Sequence, residues 1–74
     1  MENQLKKIFA ESLDVSEDTI TDTLEYGEIP EWDSVAHMGV IAAIEEAFDI
    51  MIDTEDVIDM SSFERAKEIV TKYL

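Results

Sequence analysis

The 74-residue chain has no cysteine. This excludes disulfides, thiolate metal sites and a thiol nucleophile, and leaves the redox compartment open. Basic residues are nearly as scarce, with five Lys and Arg against nineteen Asp and Glu, for a formal net charge of −14. Lys6 and Lys7 stand near the start and Arg65, Lys67 and Lys72 near the end, with no lysine or arginine between Ile8 and Glu64. Such a charge distribution repels nucleic acid and anionic lipid and steers the chain toward partners with basic patches, an effect that salt weakens. The two glycines, Gly27 and Gly39, are isolated, so no glycine-rich phosphate loop exists. No apolar run approaches the roughly 20 residues needed to span a bilayer. The first residues, MENQLKKIFAES, lack the apolar stretch and cleavage site of a secretory signal. A cytoplasmic location without membrane insertion is the expectation.

The length corresponds to one domain, residues 1–74, near the lower limit for a core that folds without disulfides or metal. A monomer is expected from the high charge. Apolar residues make up 46% of the chain and recur with helical period, which argues against disorder. The most apolar stretch is Glu31 to Phe48. Within it Val35, Met38, Ile41, Ile44 and Phe48 recur at steps of three and four, predicting one broad apolar face of a central helix, and Asp33 or Ser34 is its predicted N-cap. A helix start offers unpaired N–H donors and partial positive charge, so an anion attached to Ser34 would sit where a phosphate is favoured.

Leu5, Ile8, Phe9 and Leu13 predict an amphipathic first helix over Glu2 to Leu13. A long polar connection, Asp14 to Asp33, carries Val15, Ile20, Leu24, Tyr26, Ile29 and Trp32, enough apolar residues to pin an ordered loop to the core, with room for a helical turn. Ile50 and Ile52 lie in a connector and are expected to insert between helices. Asp53 or Thr54 caps a short helix, Glu55 to Ile58, and Ser61 or Ser62 caps the last one, with Ser61 and Glu64 at capping-box spacing. Phe63, Ala66, Ile69, Val70 and Tyr73 form the apolar face of that last helix. The expected fold is all-α, a small bundle of three main helices plus one short helix, with a long ordered loop after the first.

Two other sites compete with Ser34 as a modified residue. A catalytic group of Ser34, His37 and Asp33 has the right residue types, but no oxyanion hole or glycine-flanked nucleophile elbow accompanies it. A partly packed histidine is the expected role of His37. Asp14, Ser16, Asp18, Asp22 and Glu25 occupy positions 1, 3, 5, 9 and 12 of an EF-hand-like calcium loop, but Thr19 stands where that loop needs glycine and Thr21 where it is apolar. An acidic calcium-binding or adaptor module remains an alternative of another class.

Trp32-Asp33-Ser34-Val35-Ala36-His37-Met38, followed by Ile44-Glu45-Glu46-Ala47-Phe48, resembles the acyl carrier protein family, over essentially the whole chain. The resemblance implies a four-helix bundle in which Asp33-Ser34-Val35 opens the second helix. A phosphopantetheinyl transferase would attach 4′-phosphopantetheine, taken from coenzyme A, to Ser34, and the arm's thiol would carry acyl groups as thioesters. The chain itself would be no enzyme. Positions matching the family's docking face are Asp33, Val35, Ala36, Gly39, Ala42, Glu45 and Glu46, facing acyl-loading and acyl-transferring enzymes with basic patches. An acyl chain would lie against Met38, Ile41, Ile44, Ile58 and Ile69. Fatty-acid carriers usually have glycine shortly before the Asp-Ser pair, where this chain has Glu31-Trp32, and acids on the docking face are replaced by Ala36 and Gly39. Trp-Asp-Ser is similar to D-alanyl carriers and to discrete carriers of specialised pathways such as polyketide assembly. A specialised acyl carrier is therefore favoured, with a fatty-acid carrier or an aminoacyl carrier of the same fold as alternatives.

Overall fold

A computed structural model describes residues 1–74. Four helices follow in order: α1 (Glu2–Leu13), α2 (Ser34–Phe48), α3 (Thr54–Asp59) and α4 (Phe63–Tyr73), with one 3-10 turn, Glu17–Thr19, in the loop after α1. The fold is the expected all-α bundle, and the first helix keeps its predicted bounds. No helix is long and apolar enough to cross a membrane.

Local chemistry sets the helix ends. α1 and α2 both stop at an aspartate in the left-handed region, Asp14 (φ 58°) and Asp49 (φ 55°), where the chain turns back and bonds the last carbonyls. Aspartate adopts this conformation at lower cost than most residues because its short side chain bonds locally. Asp33, not Ser34, caps α2: its Oδ1 accepts the Ala36 N–H at 2.8 Å. At α4 the capping box predicted from Ser61 does not form. Ser62 is the cap, and its Oγ accepts the Arg65 N–H at 3.0 Å. The short helix begins one residue earlier than predicted and ends one later. Asp53 precedes it without a side-chain cap.

The core contains sixteen buried residues, every one apolar, and no buried polar side-chain atom lacks a partner. Phe9 lies among aromatics, edge-on to Trp32 at 5.3 Å and to Phe63 at 5.2 Å. Edge-to-face pairs of this kind contribute about 0.5–1.5 kcal/mol each beyond their burial. The long loop is pinned as expected. Ile20, Leu24 and Trp32 are buried, and Val15 and Ile29 pack against the core. Its backbone also pairs with the start of α4, where Tyr26 N–H bonds Ser61 O at 2.9 Å and Phe63 N–H bonds Leu24 O at 3.0 Å. Gly27 (φ 81°) supplies the positive φ at the third position of the turn Glu25–Glu28.

The predicted apolar face of α2 is corrected in part. Ile41 and Ile44 are buried and Phe48 half-buried, but Val35 is 80% exposed and Met38 56% exposed, while Val40 is fully buried. Each step of three residues falls about 60° short of a full turn, so Val35, Met38, Ile41 and Ile44 wind around the helix, and the first stands opposite the last. Val40 lies close to the direction of Ile44.

Polar contacts dock α3 on α4. Asp56 accepts from Lys72 Nζ at 2.8 Å and from the Tyr73 hydroxyl, whose oxygen accepts the Asp53 N–H at 3.0 Å. Arg65 Nε donates to Asp59 at 3.0 Å. The hydrogen bond from Lys72, then that from Tyr73, holds the Asp56 carboxyl below the usual carboxylate range, and Asp56 in turn holds Lys72 above the usual lysine range. A depressed carboxyl contributes stability that is complete above the unfolded value, about 3.9, and is lost as pH falls through the folded value. The raised lysine contributes fully below its unfolded value, about 10.4, and its contribution is lost as pH rises through the folded one. Amide exchange in α3, referenced to α1, is therefore expected to be flat around neutrality and to accelerate below about pH 4, the onset of this loss. Asp56→Asn should be faster throughout and lack the acid step. An equal acid step in Asp56→Asn would remove Asp56 as its cause.

Candidate functional site

Ser34 is exposed and is the first residue of α2. With the cap supplied by Asp33, the Ser34 hydroxyl is not needed to hold the helix start, and the first N–H groups of α2 remain without intrahelical acceptors. Glu31 and Asp33 flank it, both exposed. Three of the five basic residues are committed to ion pairs elsewhere: Arg65 with Asp59, Lys67 with Asp22 at 2.7 Å and Lys72 with Asp56 at 2.8 Å. The residues flanking Ser34 in the chain are thus acidic, and the free N–H groups of the helix start are donors that an anion there would meet.

Beside Ser34 a groove of about 370 Å³ opens, lined by Ser34, His37 and Met38 of α2, Val57 and Ile58 of α3, Met60 and Ser61 of the following connection, and Tyr26 of the long loop. Among the five residues named as acyl contacts, Met38 and Ile58 line this groove. Ile41, Ile44 and Ile69 are buried in the core beneath it and do not line it. The sequence gives no sign that Tyr26, Val57, Met60 and Ser61 share this groove. Only the fold brings those four to one place.

His37 is half-buried, as expected for a packed histidine. Its Nδ1 lies 3.0 Å from Trp32 Nε1 and its Nε2 lies 2.8 Å from the Val57 carbonyl oxygen. An indole N–H only donates and a carbonyl only accepts, so Nδ1 is the acceptor and Nε2 carries the proton, in a neutral ring. Both ring nitrogens are occupied, and Asp33 Oδ1 is engaged with Ala36. No Ser34–His37–Asp33 relay is assembled.

The docking-face positions differ in kind. Val35, Gly39, Ala42 and Glu46 are exposed, as is the cap Asp33, and Ala36 is half-buried. Glu45 is half-buried and turned inward, accepting the Ile52 N–H at 2.9 Å. A side chain at Gly39 would meet nothing within 4 Å, so packing within the chain does not demand glycine there.

The EF-hand-like positions do not converge. Asp14 closes α1, Asp22 pairs with Lys67, Glu25 sits in the bridge to Ser62, and no helix follows the loop directly. No group of three or more His, Asp or Glu side chains is placed to hold a metal ion.

Among solved structures the chain is similar to the solution NMR structure of a holo acyl carrier protein from Geobacter metallireducens, with a TM-score of 0.85 at 22% identity, covering 97% of this chain and 83% of that one. No family model matches the chain, and no curated protein matches it. The fold is that of an acyl carrier protein.

Proposed function

We propose that this chain is an acyl carrier, modified on Ser34 by a phosphopantetheinyl transferase that takes 4′-phosphopantetheine from coenzyme A. The observation that carries the reading is Ser34 itself: an exposed hydroxyl at the first position of an Asp-capped helix, within Trp32-Asp33-Ser34-Val35, on a fold shared with an acyl carrier protein. The residues fit the group. A phosphodiester on Ser34 would lie against the unpaired N–H groups of α2, where negative charge is stabilised by about 0.3–1 kcal/mol at an exposed helix start. The arm would supply a thiol that holds the cargo as a thioester, and tethering would raise the cargo's local concentration at each docked enzyme. The protein's own part is to present the arm, to offer the groove between α2 and α3 as a resting place for an apolar cargo, and to dock.

The docking surface is mixed. Val35 and Met38 present apolar area next to Ser34, and Glu31, Asp33 and Glu46 supply exposed negative charge. It suits enzymes with an apolar depression edged by arginine and lysine. The upper turns of α2, from Ser34 to Ile44, carry no acidic residue. This favours a carrier of a specialised pathway over a housekeeping fatty-acid carrier. The test is intact-mass measurement after incubation with coenzyme A and a promiscuous transferase. One phosphopantetheine mass is expected on the wild-type chain, located on the peptide containing Ser34, and no mass gain would overturn the reading.

A further inference from the structure

α3 is six residues long with no buried residue, too short to hold its conformation alone. Its stability comes from what it is tied to, and the ties are unequal on its two sides. Toward α4 it has Asp56 on Lys72 and Tyr73, Asp53 N–H on the Tyr73 hydroxyl, and Asp59 on Arg65. Toward α2 it has one hydrogen bond, His37 Nε2–H to the Val57 carbonyl at 2.8 Å. The helix is thus hinged on α4 and hydrogen-bonded to α2 at a single point, with Val57 packed against the core beside that bond.

That point is held rigidly from behind. His37 Nδ1 accepts from the indole of Trp32, which is fully buried, and the two rings lie edge to edge, their planes 29° apart and their centroids 6.0 Å apart. Tyr26 closes the other side, edge-on at 5.5 Å. The groove beside Ser34 has α2 as one wall and α3 as the other, and His37 and Val57, the two partners of the fastening, both line it.

We propose that His37 is the latch that fixes the separation of α2 and α3 and so limits the length of acyl chain the groove accepts. The proposal rests on the carrier reading of Ser34. A linear apolar chain short enough for the latched groove lies between Met38, Val57 and Ile58 without disturbing the bond. A longer chain has to part α3 from α2, breaking the His37–Val57 bond while α3 swings on its ties to α4. His37 acts here as a positioning residue. Its imidazole sets the position of the far wall, and cargo selection follows from how much that wall resists.

The experiment begins with the unmodified protein, so that it stands apart from Ser34 modification. Nitrogen-15 NMR of the imidazole is expected to show a neutral ring protonated on Nε2, with that proton protected from exchange. A ring protonated on Nδ1, or an unprotected Nε2 proton, overturns the latch without any variant. Next, amide exchange is measured for α3 and α1 in wild type, His37→Phe and His37→Gln. Loss of one half-buried hydrogen bond should raise α3 exchange on the order of tenfold more than α1 exchange in His37→Phe, and His37→Gln, which keeps a donor, should recover part of it. Equal acceleration of α1 and α3 would make His37 a core residue only and overturn the proposal. Finally, wild type and His37→Phe are loaded with straight-chain acyl groups of increasing length. Wild-type α3 should lose protection abruptly beyond one length, and His37→Phe should show no such threshold. The same threshold in both would overturn the latch. Failure of the wild-type chain to gain the arm refutes the carrier reading instead, and leaves the NMR and exchange outcomes to judge the latch.

Discussion

Ser34→Ala is expected to gain no mass from coenzyme A and a transferase while melting close to wild type. The two halves of this result have separate causes. The cap hydrogen bond of α2 belongs to Asp33, so the substitution removes an exposed hydroxyl that the helix does not use. Alanine is also the strongest helix former, so the change in stability should stay within about 0.5 kcal/mol. Asp33→Ala is the contrasting variant. It frees the Ala36 N–H and should cost about 1 kcal/mol, the usual worth of such a cap. Ser61 provides an internal control, because it lines the same groove but precedes the α4 cap Ser62 and is not the first residue of a helix. Modification that persists in Ser34→Ala, with the arm found on Ser61 or elsewhere, would show that exposure in the groove is sufficient and that the helix start is irrelevant. Circular dichroism melting and intact mass on one preparation of each variant read both halves together.

What the residues disclose before folding is largely what depends on near neighbours. The bounds of α1 follow from the spacing of Leu5, Phe9 and Leu13, and the pinning of the long loop from the apolar residues within it. The choice between Asp33 and Ser34 as cap, or Ser61 and Ser62, turns on backbone dihedrals, and adjacent residues of similar chemistry leave that choice open. α2 misleads because it is apolar around much of its circumference. Val35 and Met38 fit a three-residue spacing as well as Ile41 and Ile44 do, and only the position of the other helices decides which arc is covered. The left-handed aspartates at positions 14 and 49 stand where glycine is the usual signal, so neither announces its turn. At the site, Ser34 can be picked out from sequence because its neighbours carry the pattern. The groove cannot, because Tyr26, Val57, Met60 and Ser61 come from three separate segments. The two partners of His37 lie 5 and 20 residues away in the chain, and no local spacing reports them.

Trp32→Ala should be the most damaging single substitution near the site, although it removes no group that lines the groove. The indole is fully buried, packs edge-on against Phe9 at 5.3 Å and Tyr26 at 6.0 Å, and donates to His37. Truncating a buried tryptophan to alanine costs about 3–5 kcal/mol through lost burial and the cavity left behind. A domain of this size has a total stability of only about 4–11 kcal/mol, at 0.05–0.15 kcal/mol per residue. One substitution therefore removes between about a quarter and all of the stability, and the midpoint by circular dichroism should fall by at least about 12 °C, at 4–8 °C per kcal/mol for a small domain. Trp32→Phe should be milder. It keeps a ring against Phe9 but leaves His37 Nδ1 without its donor, a loss of about 1–3 kcal/mol for a polar group left unpaired. The order Ala, then Phe, then wild type should hold for the protection of α3 as well as for melting, because the same indole that fills the core also orients the imidazole holding Val57. A Trp32→Ala midpoint within about 4 °C of wild type, under 1 kcal/mol on the same scale, would show that the loop ahead of Ser34 is not anchored through this residue.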